Sequence, residues 1–144
     1  MSKTHFARLV RLAEGVFGRR KPGDASRGWP DGDLMGLNKD NIVEFPTRDY
    51  ETFARWFEHN DDLELLVVIT NVHPTTNFED FMDEVQLALP NGFEIENPER
   101  EVGTPICLAY TMRAGQIPLD DQLELSLHQL RAVADHVASK VRVS

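Results

Sequence analysis

The stretch that most constrains this chain is Leu63 to Val72, which reads Leu-Glu-Leu-Leu-Val-Val-Ile-Thr-Asn-Val. No polar residue interrupts Leu65 to Ile69, and the β-branched Val67, Val68 and Ile69 sit in the middle. Such side chains lose rotamer freedom against a helical turn but pack well on a pleated surface. Asp61 and Asp62 bound the run on one side, and Asn71, His73 and Pro74 on the other. A short unbroken apolar run between turn signals predicts a strand buried on both faces, the central strand of a sheet.

The rest of the chain supplies what such a strand needs around it. At 144 residues the length predicts one domain that buries roughly 70% of the surface exposed by its unfolded chain, so no disulfide staple is required. The only cysteine is Cys107. A single thiol fits a reducing compartment and predicts a cytoplasmic protein. No stretch approaches the ~18 apolar residues of a membrane span.

Charge divides the chain in two. Residues 1–27 carry Lys3, Arg8, Arg11, Arg19, Arg20, Lys21 and Arg27 against Glu14 and Asp24, a net of +5, and the remainder carries −14. An acidic body repels phosphate and disfavours direct nucleic-acid binding. The basic head either meets an anionic partner or folds back onto its own acidic body.

Hydrophobic spacing predicts the elements. Phe6, Leu9, Val10, Ala13, Val16 and Phe17 fall on one face of a helix over 4–17, with Ser2 or Thr4 at its start and Gly18 at its end. Residues 18–40 form a long connector punctuated by Gly, Pro, Asp and Ser, in which Trp29, Leu34, Met35 and Leu37 suggest local packing. Ile42 to Phe45 predicts a short strand. Tyr50, Phe53, Ala54 and Phe57 have helical spacing and predict a helix to about Glu58. After the central strand, Asn77 caps a helix carrying Phe78, Phe81, Met82, Val85 and Leu89, stopped by Pro90, Asn91 and Gly92. Phe93 to Glu96 alternates as a strand with one wet face, and Pro105 to Met112 predicts a second buried strand. Leu119, Leu123, Leu127, Leu130, Ala134, Val137 and Val141 predict a last helix of about 35 Å.

The expected architecture is α+β: a mixed four-stranded sheet packed against three to four helices, with one parallel crossover and one hairpin. Residues 1–144 form a single domain, in which 1–40 is the basic helix and connector and 41–144 the acidic core. Phe53, Phe57, Leu65, Val67, Ile69, Phe81, Val85, Ile106, Leu108, Leu123, Leu130 and Val137 are expected to share one core. The last helix has room for a partner helix, either residues 4–17 or a second subunit, so a homodimer through the N- or C-terminal helix is an open arrangement.

Chemistry-bearing motifs are sparse. The glycines lack phosphate-loop spacing, and neither a nucleophile elbow nor His-Glu-x-x-His occurs. Glu124 and His128 stand at i, i+4, a spacing that a metal site can use but that is far more often that of a solvated ion pair. Cys107 lies in an apolar strand, where a thiol is inert. No catalytic residue, cofactor or metal is assigned on these grounds. The residues singled out for interaction are Arg8, Arg11, Arg19, Arg20, Lys21 and Trp29 in the basic head and connector, and Glu79, Asp80, Asp83 and Glu84 on an acidic helical face.

Three functional expectations follow. The first is a non-enzymatic cytosolic protein-binding or regulatory domain. The second is a small enzyme centred on His73, since ligands bind beyond the carboxyl ends of strands in open sheets and Asn71, Thr75 and Thr76 precede a helix N-terminus there. The third is an acidic inhibitor whose Glu79, Asp80, Asp83 and Glu84 mimic nucleic-acid phosphate toward a basic partner.

Overall fold

The computed structural model describes residues 2–19, 42–57, 59–74, 77–96, 105–113 and 115–141. In chain order the elements are α1 (Ser2–Phe17), β1 (Ile42–Pro46), β2 (Glu51–Phe57), β3 (Asp62–Ile69), α2 (Phe78–Ala88), β4 (Phe93–Glu96), β5 (Ile106–Met112) and α3 (Asp120–Ala138). The five strands lie in the order β1-β2-β3-β5-β4. Every neighbouring pair is antiparallel. The α+β class is as the sequence predicts, and the Leu63-centred run is the middle strand. Among the described residues the sheet has five strands rather than four, and no parallel crossover.

Both differences trace to residues 51–57, which form β2 and not a helix. Thr52, Phe53, Trp56 and Phe57 favour a pleated surface. A hairpin follows directly: Asp61 adopts a left-handed φ of 61°, its N–H donates to Phe57 O at 2.8 Å, and Asp62 N–H donates to Asn60 Oδ1 at 3.1 Å. Asp is one of the few non-glycine residues that enter this region readily. The turn reverses the chain, so β2 pairs with the central strand from Glu51↔Val68 to Phe57↔Asp62.

The sheet is buried on one face, not two. Leu63, Leu65, Val67 and Ile69 are fully buried, whereas Glu64, Leu66 and Val68 between them are only partly covered. The same alternation continues across the register. Val43, Phe45, Thr52, Ala54, Phe93, Ile106, Leu108 and Met112 join the buried side. Phe53 and Phe57 project to the other side and leave the expected core; the remaining ten predicted core residues are buried.

Three helices cover the buried side. The six residues of α1 predicted to form its apolar face are 5% exposed or less, and Phe6 meets Trp56 of β2 at 6.3 Å between ring centroids. Arg8 Nε lies 2.6 Å from Asp120 Oδ1 at the start of α3, and Arg11 reaches the same carboxylate at 3.3 Å. Arg8 also donates to Pro118 O. At the other end Arg131 of α3 donates to Val16 O, one of the carbonyls a helix C-terminus leaves without an internal partner. Gly18, at φ 103°, ends α1 as expected. The helix starts at Ser2, so Thr4 lies inside it and does not cap it.

Asn77 caps α2 as predicted: its side chain accepts from the N–H groups of Glu79 and Asp80. Gln86 on the same helix bridges the outer edge of β4, accepting from Ile95 N–H at 3.0 Å and donating to Phe93 O at 3.2 Å. A glutamine amide thus occupies backbone groups that an edge strand would otherwise present for pairing. α3 is shorter than its apolar stripe. Leu123, Leu127, Leu130, Ala134 and Val137 are buried, joined by Val133. Leu119 is its exposed N-cap residue, and Val141 lies past its end in a bridge with Val72. At 19 residues the helix spans about 28 Å.

Candidate docking surface

The face of the sheet opposite the three helices is built by register. Directly across the strands, Glu44, Phe53, Leu66, Ala109 and Glu94 form one row. The adjacent row runs Glu51, Val68, Cys107. On the other flank, Ile42, Arg55, Glu64 and Thr111 align. Phe53, Leu66, Val68, Cys107 and Ala109 are all half-buried. They occupy β2, β3 and β5, the three inner strands, and charged residues stand outside them. An apolar patch rimmed by polar groups is the pattern of interaction surfaces.

The rim is strongly one-signed. Among the described strand residues, Glu44, Glu51, Asp62, Glu64 and Glu94 are on this face with one base, Arg55, whose guanidinium lies over the Phe57 ring at 4.5 Å. Exposure falls inward: Glu51 and Glu94 are exposed, the apolar centre is not. On the opposite side of the sheet, burial pushes the Tyr110 phenol above its ordinary value. Sequence reasoning missed this surface because it placed Phe53 and Phe57 on a helix facing the core. Alternation through Glu51, Phe53, Arg55 and Phe57 opposite Thr52, Ala54 and Trp56 was the available signal.

The residues expected to interact are dispersed. Arg8 and Arg11 are engaged by Asp120, and Arg19 is exposed just past α1. Arg20, Lys21 and Trp29 lie outside the described residues. Glu79 and Asp80 are exposed in the first turn of α2, where the helix dipole favours them. Asp83 and Glu84 are exposed on the same helix, and Glu84 lies 3.8 Å from His136 of α3.

His73 is held structurally. Its backbone N–H donates to Lys140 O at 2.8 Å, its ring Nε2 sits 2.9 Å from Asn71 Oδ1, and Val72 beside it bridges Val141. Asn71 supplies the left-handed turn, at φ 60°. Thr75 and Thr76 lie outside the described residues. His128 and Glu124 are 3.8 Å apart on the exposed side of α3. Among the described residues no three His, Cys, Asp or Glu side chains converge as a metal site would require. No helix among them is long and apolar enough to cross a membrane. No protein-family model matches the chain, and no curated protein matches it.

Proposed function

We propose that this chain is a non-enzymatic protein-binding or regulatory domain, and that the face of its sheet opposite the helices is where a partner protein sits. The observation that carries the reading is the row Glu44, Phe53, Leu66, Ala109, Glu94: an apolar centre held on a rigid sheet with carboxylates at both ends. Interface centres are depleted in charge and their rims are polar. The two phenylalanines on this face, Phe53 and Phe57, are of the residue type that interfaces enrich. A cytoplasmic setting belongs to the same reading and rests on the single cysteine.

The test compares two forms of the chain as bait in cell lysate: the native sequence and Leu66→Asp, whose fold is checked by circular dichroism. A protein retained by the native chain and lost by Leu66→Asp is the expected result. Identical retention by both baits would remove this face from the function. The other two readings rest on the same residues as before: His73 with its ring Nε2 on Asn71, and the exposed carboxylates of α2, where Glu84 lies 3.8 Å from His136.

A further inference from the structure

The last turn of α2 and the strand that follows it are tied by one side chain. Leu89 closes the helix, its N–H donating to Val85 O and Gln86 O. Gly92, at φ 93°, then turns the chain, and Phe93 N–H donates to Pro90 O at 3.1 Å. A Cβ at Gly92 would come within 2.7 Å of Tyr110 Cε1, so the turn is packed against β5. From this fixed position the exposed Gln86 reaches the outer edge of β4. Its amide donates to Phe93 O at 3.2 Å and accepts from Ile95 N–H at 3.0 Å. One donor and one acceptor on groups two residues apart is what a single residue of a neighbouring strand supplies. We infer that Gln86 stands in for a sixth strand and keeps the sheet from continuing through β4 into a second copy of the chain.

The two backbone groups that Gln86 holds are complementary to themselves. In an antiparallel pair of β4 strands related by a two-fold axis at Glu94, Phe93 stands opposite Ile95 of the other copy. Ile95 N–H of each copy would then donate to Phe93 O of the other, the same donor and acceptor that the glutamine amide now occupies. Phe93 N–H keeps its bond to Pro90 O in that arrangement. Edge strands are templates for pairing with another chain, and side chains and charges are the usual means of blunting them. Glu94 supplies a second obstacle. It is exposed, and on the axis it would face its own equivalent, an unfavourable like-charge contact. Self-pairing of β4 is thus opposed twice, by an amide that occupies the edge and by a carboxylate that repels itself. This edge is separate from the sheet face proposed above for a partner protein.

The test compares the full native chain with Gln86→Ala, its fold checked by circular dichroism. Sedimentation over a range of concentrations reads association, and amide hydrogen exchange at Ile95 reads the edge. The native Ile95 amide is expected to be protected at every concentration. In dilute Gln86→Ala it should exchange about tenfold faster, and dimerisation should set in at about tenfold lower concentration than for the native chain. As that dimer forms, the Ile95 amide should regain protection. Gln86→Ala/Glu94→Lys should pair with Gln86→Ala about threefold more tightly than either pairs with itself, because opposite charges then meet on the axis. Gln86→Ala/Ile95→Pro lacks the outward N–H and should stay monomeric. A Gln86→Ala chain that stays monomeric overturns the inference. So does an Ile95 amide that remains protected when that chain is dilute, since another group then takes the place of the glutamine. Association that leaves Ile95 exchanging fast, or that survives Ile95→Pro, runs through a different surface and also overturns it. Should Gln86→Ala fail to fold, Gln86→Met, which keeps the length of the side chain and lacks the amide, carries the same measurements.

Discussion

Thr52 lies on the buried side of β2 with no exposed surface, and its hydroxyl has no hydrogen-bond partner among the described residues. Its cross-strand neighbours are Phe45 and Val67, neither of which offers a side-chain acceptor. A buried polar group left unpaired carries its desolvation penalty without return. Valine has nearly the same shape and no hydroxyl, so Thr52→Val should raise stability by about 1 kcal/mol, read as a higher midpoint in urea with an unchanged slope. A destabilised variant would mean that the hydroxyl is satisfied in solution. His5 gives a second residue-scale expectation. Partial burial, then the charge of Arg8, holds its imidazole below the ordinary 6.5, and Arg8 NH1 is 3.2 Å from its Nδ1. The folded state therefore prefers the neutral ring, and the unfolded chain binds the proton first as pH falls. Stability from this site is complete above pH 6.5 and declines below it. His5→Gln should flatten that acid limb of the stability profile, and a profile unchanged by the substitution would exclude His5 as its source.

At the scale of elements, the helices and the strands differed in how plainly they could be read. α1 was legible because six apolar residues at 3.6-residue spacing admit one assignment and Gly18 supplies the stop. Asn77 marked α2 for the same kind of reason, a side-chain acceptor placed ahead of donors that a helix start leaves open. Residues 50–57 were not legible from spacing, because an apolar residue occurs on both faces. Tyr50, Phe53, Ala54 and Phe57 fit a helix, while Thr52, Ala54 and Trp56 fit a pleat; the tight turn through Asp61 and pairing with β3 decide between them. The docking of α1 yields a prediction at this scale. Apolar burial should dominate it, since exposed ion pairs contribute about 0–1 kcal/mol, whereas truncating large buried residues costs several kcal/mol. Phe6→Ala with Val10→Ala should therefore release α1 at any salt concentration, seen as fast amide hydrogen exchange along residues 4–17. Arg8→Glu removes the contact with Asp120 and places like charges together, so its effect should be larger at low salt. Free exchange of those amides in the unmutated protein would overturn the docked arrangement.

At the scale of the whole molecule, one sheet face is packed under the helices and the other is the face proposed for contact. The class and the middle strand could be read from composition and a single apolar run. Strand order could not, because antiparallel pairing joins distant segments and hydrophobic spacing specifies no neighbour. The basic head and acidic body meet where they were expected to attract, at Arg8, Arg11 and Asp120. The two tyrosines report on the integrity of this whole assembly, since they are the only ones in the chain and both phenols lie on the helix-covered side. Burial first, then the hydrogen bond to Asp135 at 2.8 Å, pushes Tyr50 far above its ordinary 10.0; burial pushes Tyr110 up as well. In each case the folded state favours the neutral phenol and the unfolded chain ionises first. Their contribution to stability is therefore complete below pH 10 and is lost as pH rises above it. In an alkaline titration, tyrosinate absorbance should appear together with the loss of near-ultraviolet circular dichroism, in one step displaced above pH 10. Tyr50→Phe removes the larger of the two penalties, so alkaline unfolding of that variant should move to higher pH relative to its stability at neutral pH. Tyrosinate that grows with a midpoint at 10 while the native dichroism persists would show that neither phenol is held in the packed layer between sheet and helices.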